Sequence, residues 1–324
     1  MPRYGNPKGT AAIPAVARAV DTSHPDRVVG NGTPAGCTSA AVVAAVAAGG
    51  VITFSCGHSP MTITMTATAK VVNRHPVVVL DGGGLVTLSG GGKHRILYMN
   101  TCDPAQGWTT SHCQDQDSPQ LTVQNLTLAD GDSTGDMTEG GGGGAIFVRG
   151  GRLTVVNAQF LNNRCDPSGP DLGGAAIRDL SEYHGQPVYI VQSTFTGGLC
   201  SNGGALSSIG VSWDVLNCVM IDNWAVGYGA NPARPGTPGG GSGGAIYNDG
   251  DTYTLTIGGS IIEKNHAKEG GGAVFFVSND HTGNVSIDGS TLAGNPSDGF
   301  HTAGLPGIFF IGQHWPTVTN STLG

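Results

Sequence analysis

The chain has 324 residues, 55 of them glycine, and its 15 basic against 23 acidic residues give a net charge of −8. So few cations exclude the basic stripe that a nucleic-acid binder needs, and no stretch reaches the roughly eighteen apolar residues of a membrane-spanning helix. The glycines lack the every-third spacing of collagen, and valine and isoleucine are plentiful between them, which excludes simple disorder.

Residues 1–36 mix proline, glycine and small residues without periodicity and read as an extended N-terminal arm or linker. Thr38-Ser39 then offers a helix N-cap, and Ala40 to Ala48 forms an apolar run ended by Gly49-Gly50. This run has no polar face, so it is expected to lie across the open end of whatever follows. Val51-Ile52-Thr53-Phe54, Met61-Thr62-Ile63-Thr64-Met65 and Val77-Val78-Val79-Leu80 have strand character, the last running into Asp81-Gly82-Gly83-Gly84. Residues 101–119 interrupt the pattern with a polar loop, and 129–142 form an acidic, glycine-rich excursion.

From residue 143 one phrase recurs: Gly143-Gly144-Ala145-Ile146, Gly174-Ala175-Ala176-Ile177, Gly203-Gly204-Ala205-Leu206, Gly243-Gly244-Ala245-Ile246 and Gly271-Gly272-Ala273-Val274. The aliphatic residues are spaced by 31, 29, 40 and 28, the long interval holding a proline- and glycine-rich loop at Gly227 to Ser242. Each phrase is followed by a second alternating stretch, such as Leu153-Thr154-Val155 or Leu255-Thr256-Ile257. A third then closes on Asn163, Asn223, Asn265 or Asn295. Short strands and turns repeating near thirty residues describe a solenoid with one coil per repeat. The fold expected is all-β: a right-handed, single-stranded parallel β-helix over 37–324, with an N-terminal capping α-helix.

Gly-Gly-Ala-Ile followed by Phe160-Leu161-Asn162-Asn163 resembles the repeat of the chlamydial polymorphic outer-membrane proteins, and the chain is similar to secreted actinobacterial β-helix proteins of the pectin-lyase-like superfamily. The resemblance covers residues 37–324 and implies the fold. It does not imply one function, because such coils serve adhesins, lyases, hydrolases and scaffolds. Neither a calcium-binding aspartate cluster of the pectate lyase kind nor paired aspartates of the polygalacturonase kind is legible here.

The seven cysteines include no Cys-x-x-Cys pair, and their scatter suits an oxidising, extracellular compartment. Cys37–Cys56, Cys102–Cys113 and Cys165–Cys200 are the expected disulfides. Cys218 aligns with Ala158 and Ser260 of other coils and is expected to be a buried thiol. No signal peptide is visible at Met1, so the expectation is a mature secreted or cell-surface chain with an added start codon.

Strand alternation places Phe147, Arg178, Ser207, Tyr247 and Phe275 in one outward row, since each follows an inward aliphatic residue. Aromatic faces with a cation suit a sugar chain, making Phe147, Arg149, Tyr247 and Phe275 candidate substrate contacts. The alternative is that neighbouring loops cover these rings. Arg178, Asp179, Glu182 and His184, with Tyr183, form the densest ionisable cluster, where an arginine could hold a uronate carboxylate for a neighbouring base. The expected function is binding, and if catalytic lyase-type or hydrolytic cleavage, of an extracellular polysaccharide or cell-surface glycan. The alternative is a non-catalytic adhesin or filament subunit that self-associates through its C-terminal end. No cofactor, metal, nucleic acid or membrane span is expected. Ice binding ranks lowest, because it needs a regular threonine array and Thr154, Thr254, Thr256 and Thr291 are read as not recurring at one coil position.

Overall fold

Leu97, Ile146, Ile177, Leu206, Ile246, Val274 and Ile308 lie opposite one another on successive parallel strands, all fully buried. The repeat read from the sequence is therefore the register of the fold. The computed structural model describes residues 3–136, 141–230 and 232–324. Four residues of the expected 129–142 excursion, 137–140, and Asn231 of the 227–242 loop lie outside these, as do Met1 and Pro2.

Among the described residues the strands form four sheets, all parallel, of ten, nine, eight and three strands. One coil illustrates the path. Ile146–Arg149 lies in the eight-stranded sheet (sheet C), Arg152–Val156 in the ten-stranded sheet (sheet A) and Gln159–Leu161 in the nine-stranded sheet (sheet B). Short pairs such as Leu199–Cys200, Trp224–Ala225 and His266–Ala267 make the three-stranded sheet before the chain re-enters sheet C one rung on. The result is a parallel β-helix whose lumen is one continuous apolar core.

The corners explain the repeat's composition. Between sheets A and B the backbone turns through the left-handed region at Asn125, Asn157, Gln192, Asn217, Gly259 and Gly289, which asparagine and glycine tolerate best. The first glycine of each repeat phrase does the same, and a Cβ on Gly143 would lie 2.4 Å from the Ile146 carbonyl oxygen. The second glycine meets the next coil instead: a Cβ on Gly244 would lie 2.0 Å from the Gly272 carbonyl oxygen.

After sheet B the asparagines stack inside the turn. Asn265 Oδ1 accepts from the backbone N–H of Asn223 at 3.0 Å and from its Nδ2 at 2.8 Å, and Asn295 Oδ1 does the same for Asn265. A parallel ladder of small polar residues carries Cys218: Ser260 Oγ accepts from the Cys218 N–H, and Ser290 Oγ from the Ser260 N–H. Cys218 is a buried free thiol, raised to about 12 by burial, and the other six cysteines pair as Cys37–Cys56, Cys102–Cys113 and Cys165–Cys200.

Helix Ser39–Ala48 is N-capped by Thr38 and places Val42, Ala45 and Val46 in the core beside Val29, Ile52, Ile63 and Met65. Arg27–Gly30 adds a strand to Gly50–Ser55, so the coil begins inside the segment whose composition suggested an arm. The preceding residues lie along the outside of the A–B corner. Asn217 brackets Ala11, accepting from its N–H at 2.9 Å and donating to its carbonyl at 3.0 Å, while Gln124 brackets Val20 in the same way. Ala17 packs on Tyr189, Val191 and Leu216.

One expectation fails on register. Thr122, Thr154, Tyr189, Asp214, Thr256, Ser286 and Thr317 form a single row along sheet A, so Thr154 and Thr256 do share a coil position. The correspondence of Leu153-Thr154-Val155 with Leu255-Thr256-Ile257 already implies it. Tyr189 and Asp214 interrupt the row, which is not a continuous threonine array.

Asn265→Ala leaves the Met220 and Glu263 carbonyls and the Asn223 N–H without their partner. Each is a buried polar group whose loss of a bond is expensive, so urea denaturation should show a destabilisation of about 3 kcal/mol.

Candidate functional site

The expected outward row does leave the lumen, but it is not exposed. Tyr98, Phe147, Arg178, Ser207, Tyr247 and Phe275 are all buried on the outer side of sheet C. Their rings stack rung on rung, with centroids 5.5 Å apart for Tyr98–Phe147, 4.9 Å for Tyr247–Phe275 and 5.2 Å for Phe275–Phe309. Loop residues close the sides. The Arg95 guanidinium lies 5.0 Å from the Phe147 centroid and bonds the Gly142 and Gly143 carbonyls, and Phe300 meets Phe309 edge-on. Phe147, Tyr247 and Phe275 therefore cannot offer stacking faces to a sugar, and the alternative of a loop-covered row is the one realised.

The ionisable cluster is divided by strand alternation. Arg178 faces outward, fully buried, donating from Nη1 to Ser207 Oγ at 2.5 Å and from Nη2 to the Asp171 carbonyl at 2.7 Å. Asp179, the next residue, faces the lumen in line with Val148, Ser208, Asn248 and Phe276. Burial raises its carboxyl to about 7, against the opposing effect of the Ser181 N–H that donates to Oδ1. Ser208 continues this lumenal polar strip, accepting from Trp213 Nε1 and Asn248 Nδ2. Neither Arg178 nor Asp179 is open to a substrate.

Glu182, His184 and Arg149 remain at the surface, Arg149 as the last residue of its sheet C strand and the other two beyond the end of theirs. His184 stacks on Tyr183 with φ 47°, and its ring is exposed. Glu182 and Arg149 are linked through Gln114, which donates to Glu182 Oε1 at 3.0 Å and accepts from Arg149 Nη2 at 2.7 Å. Gln114 follows the Cys102–Cys113 disulfide, so the inserted loop at 101–119 forms one wall of this region. Partial burial and then Asp115 raise the Glu182 carboxyl, with Arg149 and Gln114 acting the other way.

Beside Glu182 opens a groove of about 540 Å³, lined further by Ile209, Gly210, Gly250, Asp251, Thr252 and Asn279. Asn279 donates to Asp249 Oδ1, and Tyr247 Oη donates to Asp249 Oδ2, so the groove's floor is tied to the buried row. Hydrogen bonds, led by that from the Thr282 hydroxyl, hold Asp280 down to about 2. The lining offers carboxylates, an amide and a hydroxyl, all of which bond sugar hydroxyls. It contains no cation, and its charge opposes a uronate. Among the described residues no three His, Cys, Asp or Glu side chains cluster as metal ligands. Gln114, Asp251, Thr252 and Asn279 were not legible as site residues, because they stand on three separate turns whose meeting depends on loop paths.

Comparison with family models, curated proteins and solved structures finds no match to this chain.

Tyr247→Ala and Phe275→Ala each empty a fully buried ring position. Chemical denaturation should register a loss of about 3–5 kcal/mol, where a solvent-facing aromatic would cost almost nothing. Asp179 gives a pH signature. Its folded pKa lies above that of an unfolded aspartate, so its contribution to stability is complete below about pH 4 and is lost as pH rises through about 7. Stability should fall over that interval by up to about 4 kcal/mol relative to Asp179→Asn. Parallel pH profiles for the two proteins would assign that slope to another group.

Proposed function

We propose that this protein is a secreted or cell-surface β-helix of the pectin-lyase-like kind that binds an extracellular polysaccharide in the groove beside Glu182. The observation that carries the reading is the groove itself: an open channel outside the sheet C strand ends, lined by Glu182, Asp251, Thr252 and Asn279 without a basic residue. Its charge favours neutral chains over uronates. Three disulfides support an oxidising, extracellular setting.

Lyase chemistry loses its support in Arg178, which is committed to Ser207 and Asp171 and cannot neutralise a substrate carboxylate. The function proposed is therefore recognition of a neutral glycan. A purely structural or adhesive subunit, the competing class, predicts no saturable oligosaccharide binding.

Isothermal titration with neutral hexasaccharides and with hexagalacturonate decides between them. Saturable binding of a neutral chain is expected, weakened about ten-fold in Glu182→Gln/Asp251→Asn through lost charge-assisted hydrogen bonds. Tighter binding of hexagalacturonate, or binding indifferent to the double substitution, would move the site elsewhere.

A further inference from the structure

A second uncovered surface lies on the outer face of sheet A, away from the groove. It is a cleft of about 340 Å³ whose lining includes Thr254, Thr256, Asn284, Ser286, Trp315 and Thr317. Three adjacent strands build it: Thr254 pairs with Asn284, while Thr256, Ser286 and Thr317 share the neighbouring row. Leu255 and Val285 alternate inward to the core, which holds the polar side chains outward. The turn that precedes Thr317 carries Trp315 and is anchored by the Gln313 N–H on the Gly283 carbonyl at 2.9 Å. The N-terminal segment covers this sheet further along, at Tyr189, Val191 and Leu216 on its interior strands.

Trp315 differs from the other exposed aromatics. It is 59 % exposed and has no ring or cation partner among the described residues. Trp224, at 44 %, packs against His266, and Tyr228, at 47 %, is flanked by Arg234 and Lys268. The hydroxyls follow the same distinction. Those of Thr252, Thr282 and Thr319 are engaged by Asp280 or Asp288. Those of Thr254, Ser286 and Thr317 have no protein partner among the described residues. Asn284 spends its Nδ2 on the Thr282 carbonyl and Gln313 Oε1, which leaves Oδ1 as a free acceptor. Aspartate, glutamate, lysine and arginine are absent from the lining, and His314 is its one titratable member.

From this lining we infer that the cleft is a second carbohydrate-binding site, in which Trp315 stacks on a sugar ring of a neutral polysaccharide while the hydroxyl rows and Asn284 bond its hydroxyl groups. An unpartnered indole recognises the apolar face of a pyranose, and uncharged donors and acceptors match a ligand that carries hydroxyls and no charge. The rungs are separated by about 4.8 Å, comparable to one sugar residue of an extended chain, so Ser286 and Thr317 can address successive units, while the Thr256 hydroxyl is held by Asp214 on the rung before. This site is independent of the groove beside Glu182.

The test uses the whole chain, with cellohexaose, xylohexaose, mannohexaose, laminarihexaose and maltohexaose as probes and hexagalacturonate as the acidic comparison. N-bromosuccinimide oxidation followed by peptide mass spectrometry reads each tryptophan separately. A bound neutral probe should protect Trp315 and leave the rate at Trp224 unchanged. In titrations Trp315→Ala should weaken that probe about ten-fold or more, Ser286→Ala/Thr317→Val should weaken it by a smaller factor, and Trp224→Ala should have no effect. Circular dichroism of all three variants should match the parent, since the altered side chains face solvent. The inference is overturned if no neutral probe protects Trp315, if Trp315→Ala binds like the parent, or if hexagalacturonate protects it better. Binding that responds to Glu182 and Asp251 while Trp315 oxidises freely would sink this site and leave the groove standing.

Discussion

Every coil must return to the same backbone register one rung on, because each strand draws its hydrogen bonds from the coils on either side. About thirty residues have to turn several corners and arrive with Ile146 opposite Ile177 and Ile177 opposite Leu206. The corners are therefore the most constrained positions of the chain. Left-handed residues recur at Asn125, Asn157 and Asn217 on one corner and at the first glycine of each repeat phrase on another. Where the turn buries polar backbone, Asn223, Asn265 and Asn295 satisfy it by bonding the backbone and each other. Length variation is confined to loops that leave and rejoin this frame, as at residues 227–242.

The same register decides which polar side chains can act. Neighbouring residues on a strand point to opposite faces, so Arg178 and Asp179 cannot combine in one site however close they stand in sequence. Asp179 is held in a lumen that opposes its charge, with Ser208 and Asn248 as further polar members of the strip. Arg178 is spent on the loop that covers it. Surface chemistry is left to places where loops do not fold back onto a sheet. Two such places differ in character: the groove beside Glu182 is acidic, whereas the cleft at Trp315 is uncharged.

The disulfides fasten departures from the repeat. Cys37–Cys56 ties the start of the capping helix to the end of the Gly50–Ser55 strand, and Cys165–Cys200 joins neighbouring corners one coil apart. Cys102–Cys113 closes the inserted loop that brings Gln114 between Glu182 and Arg149. Each cross-link stabilises chiefly by restricting the unfolded chain. Cys218, within a regular ladder of small residues, needs no partner of this sort.

Much of the architecture was legible in the sequence because it depends on periodicity. The inward aliphatic series, the asparagine ladder, the Cys165–Cys200 pairing and the buried Cys218 follow from aligning one coil on the next, while the capping helix follows from its N-cap and uniformly apolar run. The candidate site was only half legible. Alternation correctly sent Phe147, Tyr247 and Phe275 out of the lumen, but whether outward means exposed depends on segments such as Arg95 and Asp171 folding across the sheet. Those paths are set by contacts between residues far apart in the chain, not by the period of the strands. Thr154 and Thr256 share a row through strand register, which the equivalent Leu153-Thr154-Val155 and Leu255-Thr256-Ile257 stretches already carry. Sequence by itself determined the repeating frame, in which each residue answers to its equivalent one turn away. Tertiary structure alone decided which outward side chains meet water, because loop packing against a solenoid has no period from which to read it.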